Sequence, residues 1–245
     1  YRHDYSITNQ SPNSKQSSLY NSKYYVVNSD LRVYICIDNG SSGAPGSDSA
    51  KGGNSLDEPT FTDTEPSAAG TSGDGYVWKY LYTISPSDII KFDSTEFIAL
   101  PNDWSTSTDS QIQSVREAGD SRVNNNQIKK VYIENSGTSS YQMGDHALDI
   151  LGDGTGGVVN VTVDVNGKIT KTIVTSGGTG YTYGIVDLGS IQVSSSITIE
   201  NRAKLIPIIP PSRGHGYDLY SELGADKILI YTRFDDSTPD FPTTT

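Results

Sequence analysis

Cysteine is almost missing from this sequence: Cys36 is the single one in 245 residues, so no disulfide framework can form within the chain. Cys36 alternates with Tyr34 inside Val33–Ile37, which predicts a buried structural thiol rather than a reactive one. Long apolar runs are absent too. None approaches the roughly 20 residues of a membrane-spanning helix, and no signal-peptide pattern is visible, so no membrane partner is expected. Positive charge is scarce, with 18 basic against 29 acidic residues and a formal charge of −11. That balance repels phosphate backbones, and no basic cluster extends beyond Lys129-Lys130, which argues against a nucleic-acid partner. The chain opens on Tyr1 rather than Met and closes on Thr243-Thr244-Thr245, which reads as a fragment of a longer protein.

What is present is polar and turn-rich. Apolar residues make up only 34%, whereas Tyr occurs 16 times and Gly 24 times among many Ser, Thr, Asn and Asp. Many short strands with polar turns are the expected outcome. The fold class is therefore all-β: mostly antiparallel strands, long polar loops, a few helical turns, in a β-sandwich or barrel-like arrangement. The clearest strand is Gly73–Tyr82, where Asp74-Gly75 supplies a tight turn and Tyr76, Trp78, Tyr80 and Tyr82 then share one face. Val77 and Leu81 point the other way, so this strand should be covered on both sides.

Taken in order, residues 1–22 are polar, and Tyr24–Val27 and Leu31–Ile37 read as strands split by Asn28-Ser29-Asp30. From about 40 to 72 runs a Gly/Ser/Pro-rich loop with Phe61 as its only aromatic residue. A stretch so long and so polar is expected to need a neighbouring subunit to order it. Ser85-Pro86-Ser87-Asp88 carries a helix-start signature. Phe97–Leu100 reads as a strand, and Asp109–Ala118 as a helix stopped by Gly119.

Residues 128–200 hold a forty-residue repeat: Ile133–Tyr141 aligns without gaps to Ile173–Tyr181, with Gly144 and Gly184 also coinciding. Gly137 and Gly177 should then occupy equivalent turns. Between the copies lie the alternating run Val158–Val165 and the hairpin signal Asn166-Gly167. Leu205–Pro211 is proline-rich and suits an edge strand or connector. Glycine turns around Arg213–Asp218, a short helix over Leu219–Leu223 stopped by Gly224, and a last strand at Lys227–Tyr231 complete the chain. Three parts follow: a β domain over 1–127, a β module over 128–200, and a returning segment 201–245 that completes the first domain.

The search for chemistry yields no catalytic, cofactor-binding or metal-binding residues. Three histidines exist, His3, His146 and His215. His146 lies near Asp145 and Asp149 without a second His or Cys at metal-ligand spacing. His215, between two glycines, suits a hydrogen-bond anchor, since no nucleophile motif accompanies it. Gly152–Gly157 superficially resembles a phosphate loop, but no Lys follows and a strand comes next instead of a helix.

Val33–Asn39, the long Gly/Ser/Pro loop, Gly73–Tyr82 and Glu96–Pro101 together resemble the gene-eight baseplate wedge subunit of T-even-like contractile-tailed phages. Gly214–Asp218 with Glu222–Ala225 is similar to versions of that subunit in marine and cyanobacterial relatives of those phages. The likeness covers about residues 24–104 and 205–234, while 128–200 looks like an inserted or elaborated module. The resemblance implies a β-rich virion structural protein without catalytic residues or cofactors. The same resemblance implies that it is made in the host cytoplasm and works as a homodimer among other wedge subunits in the tail baseplate. Two other readings compete: a carbohydrate- or receptor-binding tail module using exposed aromatics of Gly73–Tyr82, and a wall-degrading enzyme with two carboxylates converging in a cleft.

Overall fold

The computed structural model describes residues 25–39, 55–92, 94, 97–139, 141–193, 198 and 201–233. Its architecture is all-β, with three antiparallel sheets and short helices between them. In the first sheet, β1 (Tyr25–Val27), β2 (Arg32–Asn39), β3 (Ser67–Ala68) and β4 (Tyr76–Thr83) lie in the order β1-β2-β4-β3. The β1–β2 turn is set by Asn28, whose side-chain oxygen accepts from the amides of Asp30 and Arg32 at 3.0 and 2.8 Å. As the alternation requires, Trp78, Tyr80 and Tyr82 are buried on one face of β4, and Leu81 is fully buried on the other. Tyr76 is half-buried and stacks on Trp78 at 5.4 Å. Lys79, beside Leu81, is also fully buried.

Helix α1 (Pro86–Phe92) starts as its sequence dictates, with Ser85 Oγ accepting from the Asp88 amide at 3.1 Å. Helix α2 (Ser110–Gly119) is capped by Asp109, which accepts from the Gln111 and Ile112 amides, and it turns Val115 and Ala118 inward. Gly119 does not stop this helix. It is the last helical residue, and the next, Asp120, caps α3 (Ser121–Asn124) instead. Gly119 has no Cβ because the carbonyl oxygen of His215 occupies that space. Phe97–Leu100 is extended coil rather than a strand, and so is Lys227–Tyr231, because neither finds a strand partner.

The second half builds around β5 (Val131–Asn135), β6 (Gly144–Gly152), β7 (Thr155–Val163), β8 (Ile169–Thr179), β9 (Gly184–Val186) and β10 (Lys204–Pro207). Order β8-β7-β6-β9 forms one sheet, and β10 pairs with β5 as an edge strand, as Pro207 requires. The β7–β8 hairpin turns through Asp164–Lys168. Gly167, at φ +69°, donates to the Asp164 carbonyl, and the Asp164 side chain accepts from the Asn166 and Lys168 amides. α4 (Leu219–Leu223) ends at Gly224 in the left-handed conformation.

Two apolar cores result. One collects β2, β4, Trp104, Val115 and Leu219; the other collects Ile128 and residues of β5 to β8, β10 and the two repeat tyrosines. The repeat is visible in what those tyrosines do. Tyr141 accepts the Ala203 amide at 2.8 Å, while Tyr181 donates to the Ile150 carbonyl and accepts the Gly157 amide. The expected equivalence of Gly137 and Gly177 does not hold. Gly137 has φ +74°, but Gly177 lies within β8 and it is Gly178 that has φ +62°. A Cβ on Gly137 would lie 2.6 Å from the Tyr141 ring, and one on Gly178 2.6 Å from the Tyr181 ring. A register irregularity in the β7–β8 pairing, between Val158 and Val159, accompanies this one-residue slip.

Candidate functional site

The residues that carry chemistry in the sequence are dispersed in structural duties. His3 lies outside the described residues. His146 sits on β6 and donates from Nε2 to the Gln142 carbonyl at 2.8 Å. Asp145, exposed on the same strand, accepts from Thr162 Oγ1 at 2.6 Å, and Asp149 faces solvent. Among the described residues no group of three His, Cys, Asp or Glu side chains comes together as a metal site. Cys36 is buried, and burial pushes its thiol up to about 12. The glycines of Gly152–Gly157 make room for a ring: a Cβ on Gly154 or Gly157 would collide with Tyr181. Asp153 in that turn accepts from the amides of Thr182 and Tyr183, and its hydrogen bonds with Thr182 hold it down at about 2.

His215 is the anchor that its flanking glycines foreshadow. It is 2% exposed, and its Nδ1–H donates to Glu222 of α4, whose second oxygen accepts the Gly216 amide at 2.7 Å. Around it, Arg213–Asp218 forms a hub. Arg213, at φ +69°, pairs with Asp120, lies 3.3 Å over the Tyr217 ring, and accepts the Ser121 amide on its carbonyl. Trp104 Nε1 donates to the Tyr217 carbonyl at 3.1 Å. The hub therefore locks α2, α3, α4 and the 101–107 loop together.

A second arrangement was not legible as a site. Residues 55–66 cross the first core as a strap. Asn28, Arg32, Tyr34, Gln111 and Lys79 donate side-chain hydrogen bonds to the carbonyls of Pro59, Thr60, Phe61, Thr62 and Thr64 respectively. Phe61 meets Tyr34 edge-on at 5.5 Å and pins the strap there. Glu65 pairs with Lys129 at 2.7 Å and accepts from Asn126 at 3.0 Å, tying the strap to the segment that leads into the second core. The part of the polar loop from 55 to 72 thus packs on its own chain and needs no neighbour to order it; residues 40–54 lie outside the described residues. Desolvation lowers Lys79 from its ordinary 10.5 to about 8, aided by the nearby Lys129 charge. The sequence did carry a signal for Lys79: it shares a face with Val77 and Leu81 in a strand covered on both sides.

The aromatic face of β4 is unavailable for sugar stacking, since Trp78, Tyr80 and Tyr82 are each at most 4% exposed. An open cleft of about 1280 Å³ runs between β4, the 97–103 segment, the start of α2 and residues 220–229. Five aspartates line it, Asp30, Asp88, Asp103, Asp109 and Asp226; of these, Asp109 caps α2, Asp30 pairs with Arg32 at 3.2 Å and Asp226 with Lys227 at 2.8 Å. Ile228 of its lining is 89% exposed, and Ile90 on α1 and Ile230, two residues beyond Ile228, are each 84% exposed. Such a patch is characteristic of an interaction surface. No helix among the described residues is long and apolar enough to cross a membrane.

A family model, Phage-Gp8, described as Gp8 of bacteriophage T4, matches residues 25–170, more than half of the chain. The matched stretch runs from β1 through β7 and takes in the first part of the repeat region. No curated protein and no solved structure matches the chain.

Proposed function

Because the chain belongs to the Gp8 family, whose namesake is a baseplate wedge protein of bacteriophage T4, we propose that it is built into each wedge of a contractile tail as a homodimer. In this reading it is made in the host cytoplasm, is incorporated into the virion, contacts other wedge subunits, and serves baseplate assembly and the host-attachment machinery. Its block Gly214–Asp218, where the likeness to marine and cyanobacterial phage subunits lies, forms the hub around His215. The family match over residues 25–170 carries the proposal.

Geometry supports a scaffold. The hub and the strap spend His215, Glu222, Asp120 and Lys79 on internal bonds, while apolar side chains project from the cleft wall where another chain can cover them. The protein then works by contact and not by turnover, with 128–200 as an elaborated module beside the domain that 1–127 and 201–245 make up. The carbohydrate-binding reading loses its motivating feature with the burial of Trp78, Tyr80 and Tyr82.

Deleting the gene and imaging the particles tests the assembly role: baseplates lacking intact wedges are expected, and complete baseplates would overturn it. Sedimentation of purified protein tests the dimer. A double substitution Ile228→Asp/Ile230→Asp should shift a dimer toward monomer if the cleft wall is the contact. Assays on peptidoglycan and host polysaccharide should show no turnover.

A further inference from the structure

A protein that recognises an extended peptide holds its main chain with a row of polar groups and selects it with a few side-chain contacts. The track beneath residues 58–65 is built that way. Five side chains from β2, β4, α2 and the β1–β2 turn each donate to a strap carbonyl, at Pro59, Thr60, Phe61, Thr62 and Thr64. Among the described residues, no backbone-to-backbone hydrogen bond reaches 58–65; ladder pairing begins only at Ser67. The segment is therefore held as a ligand is held, not as a strand.

The track also has chemical preferences. Ser29 donates both its amide and its hydroxyl to Glu58 at 2.7 Å, at one end. Asn126 and Lys129 take Glu65 at the other. Tyr34 receives the Phe61 ring between them. Arg32, Lys79 and Lys129 place three cations along a track in a protein whose net charge is −11, and the strap answers with Glu58, Asp63 and Glu65. Of residues 58–65 only Pro59 is buried, so little apolar area holds the strap down and it can lift without unfolding the sheet.

We propose that this track is a peptide-binding groove, occupied in cis by residues 58–65. In trans it accepts an extended acidic segment with an aromatic residue three places after its first acid and four before its second. The inference concerns the isolated protein and stands apart from its place in a wedge.

The test uses the full chain carrying Phe61→Ser/Glu65→Gln, which weakens the cis occupant, and a fluorescent synthetic peptide of residues 55–68. Saturable anisotropy change is expected. Affinity should be at least tenfold weaker for the unsubstituted chain, whose own strap competes, and at least tenfold weaker when Lys129→Met is added to the weakened chain. A scrambled peptide that binds equally well, or no binding to a weakened chain with unchanged circular dichroism, overturns the proposal. Should that variant not fold, hydrogen exchange on the unsubstituted chain decides. Amides of Glu58 and residues 60–65 are expected to exchange ahead of those in β2 and β4, and the 55–68 peptide, unlike the scrambled one, to slow exchange at Ser29, whose amide Glu58 holds. Strap amides that exchange only in step with β4 overturn it.

Discussion

Lys79 and Cys36 give the first core an unusual response to alkali. Lys79 is held at about 8 against an ordinary 10.5, so between those values the unfolded chain binds more protons than the folded one and stability rises with pH. Cys36 acts oppositely: its thiol, at about 12 when folded against an ordinary 9.0, stays protonated after the unfolded thiol has ionised, and stability falls above pH 9. The buried tyrosines of β2 and β4, all raised by desolvation, add to that fall above about pH 10. Denaturant melts should therefore show stability rising from pH 8 to 9 and declining beyond 10. In Lys79→Met the rise should shrink to what Lys129, also lowered by desolvation, contributes, and stability at pH 7 should match or exceed the unsubstituted chain's, because an apolar side chain replaces a desolvated charge. Trp78→Ala, in contrast, should cost about 3–5 kcal/mol by the same melts, since the ring is 4% exposed and stacks on Tyr76.

At the scale of elements, glycine and tyrosine set the spacing. In a solvent-exposed helix, Gly→Ala adds about 1 kcal/mol of stability. Gly119→Ala should do the reverse and destabilise by about 1–3 kcal/mol, because its methyl group would meet the His215 carbonyl. Tyr181→Phe should cost about 1–3 kcal/mol, leaving the Gly157 amide and the Ile150 carbonyl without their buried partner. Such features divide what could be read from the sequence. β1, β2, β4, the β7–β8 hairpin, α1, α2 and α4 all carry alternation, turn or cap signals in their own residues, and they formed where expected. Phe97–Leu100 and Lys227–Tyr231 have strand-like composition but no partner, and pairing is a property of two segments, not one. Gly119 looked like a helix stop because its true reason lies 96 positions away, at His215. The slip from Gly177 to Gly178 depends on a strand irregularity that gapless alignment cannot register. The strap was illegible for the same cause: its carbonyls carry no residue identity, and their donors are drawn from Asn28 to Gln111.

For the whole molecule, the joint between the two cores is a short chain of reciprocal bonds. Gln127, 2% exposed, donates to the Tyr181 carbonyl at 2.8 Å and accepts its amide at 2.7 Å. Lys130 pairs with Asp38 of β2 at 2.8 Å, and Lys129 reaches the strap. Both tryptophans, Trp78 and Trp104, belong to the first core, so their fluorescence reports that core while circular dichroism reports both. The two signals should change together in the unsubstituted chain, and Lys129→Ala/Lys130→Ala, which removes the pairs with Glu65 and Asp38, should separate them into two transitions. Cys36 offers one more reading. A thiol reacts as its thiolate, and this one, paired across β2 and β4 with Trp78, is shielded while the first sheet stays closed. With a single thiol per chain, the rate at which an alkylating dye is taken up becomes a clock for sheet opening. The same clock can be run on free subunits and inside finished particles, so the grip that neighbours exert on each copy becomes a ratio of two labelling times.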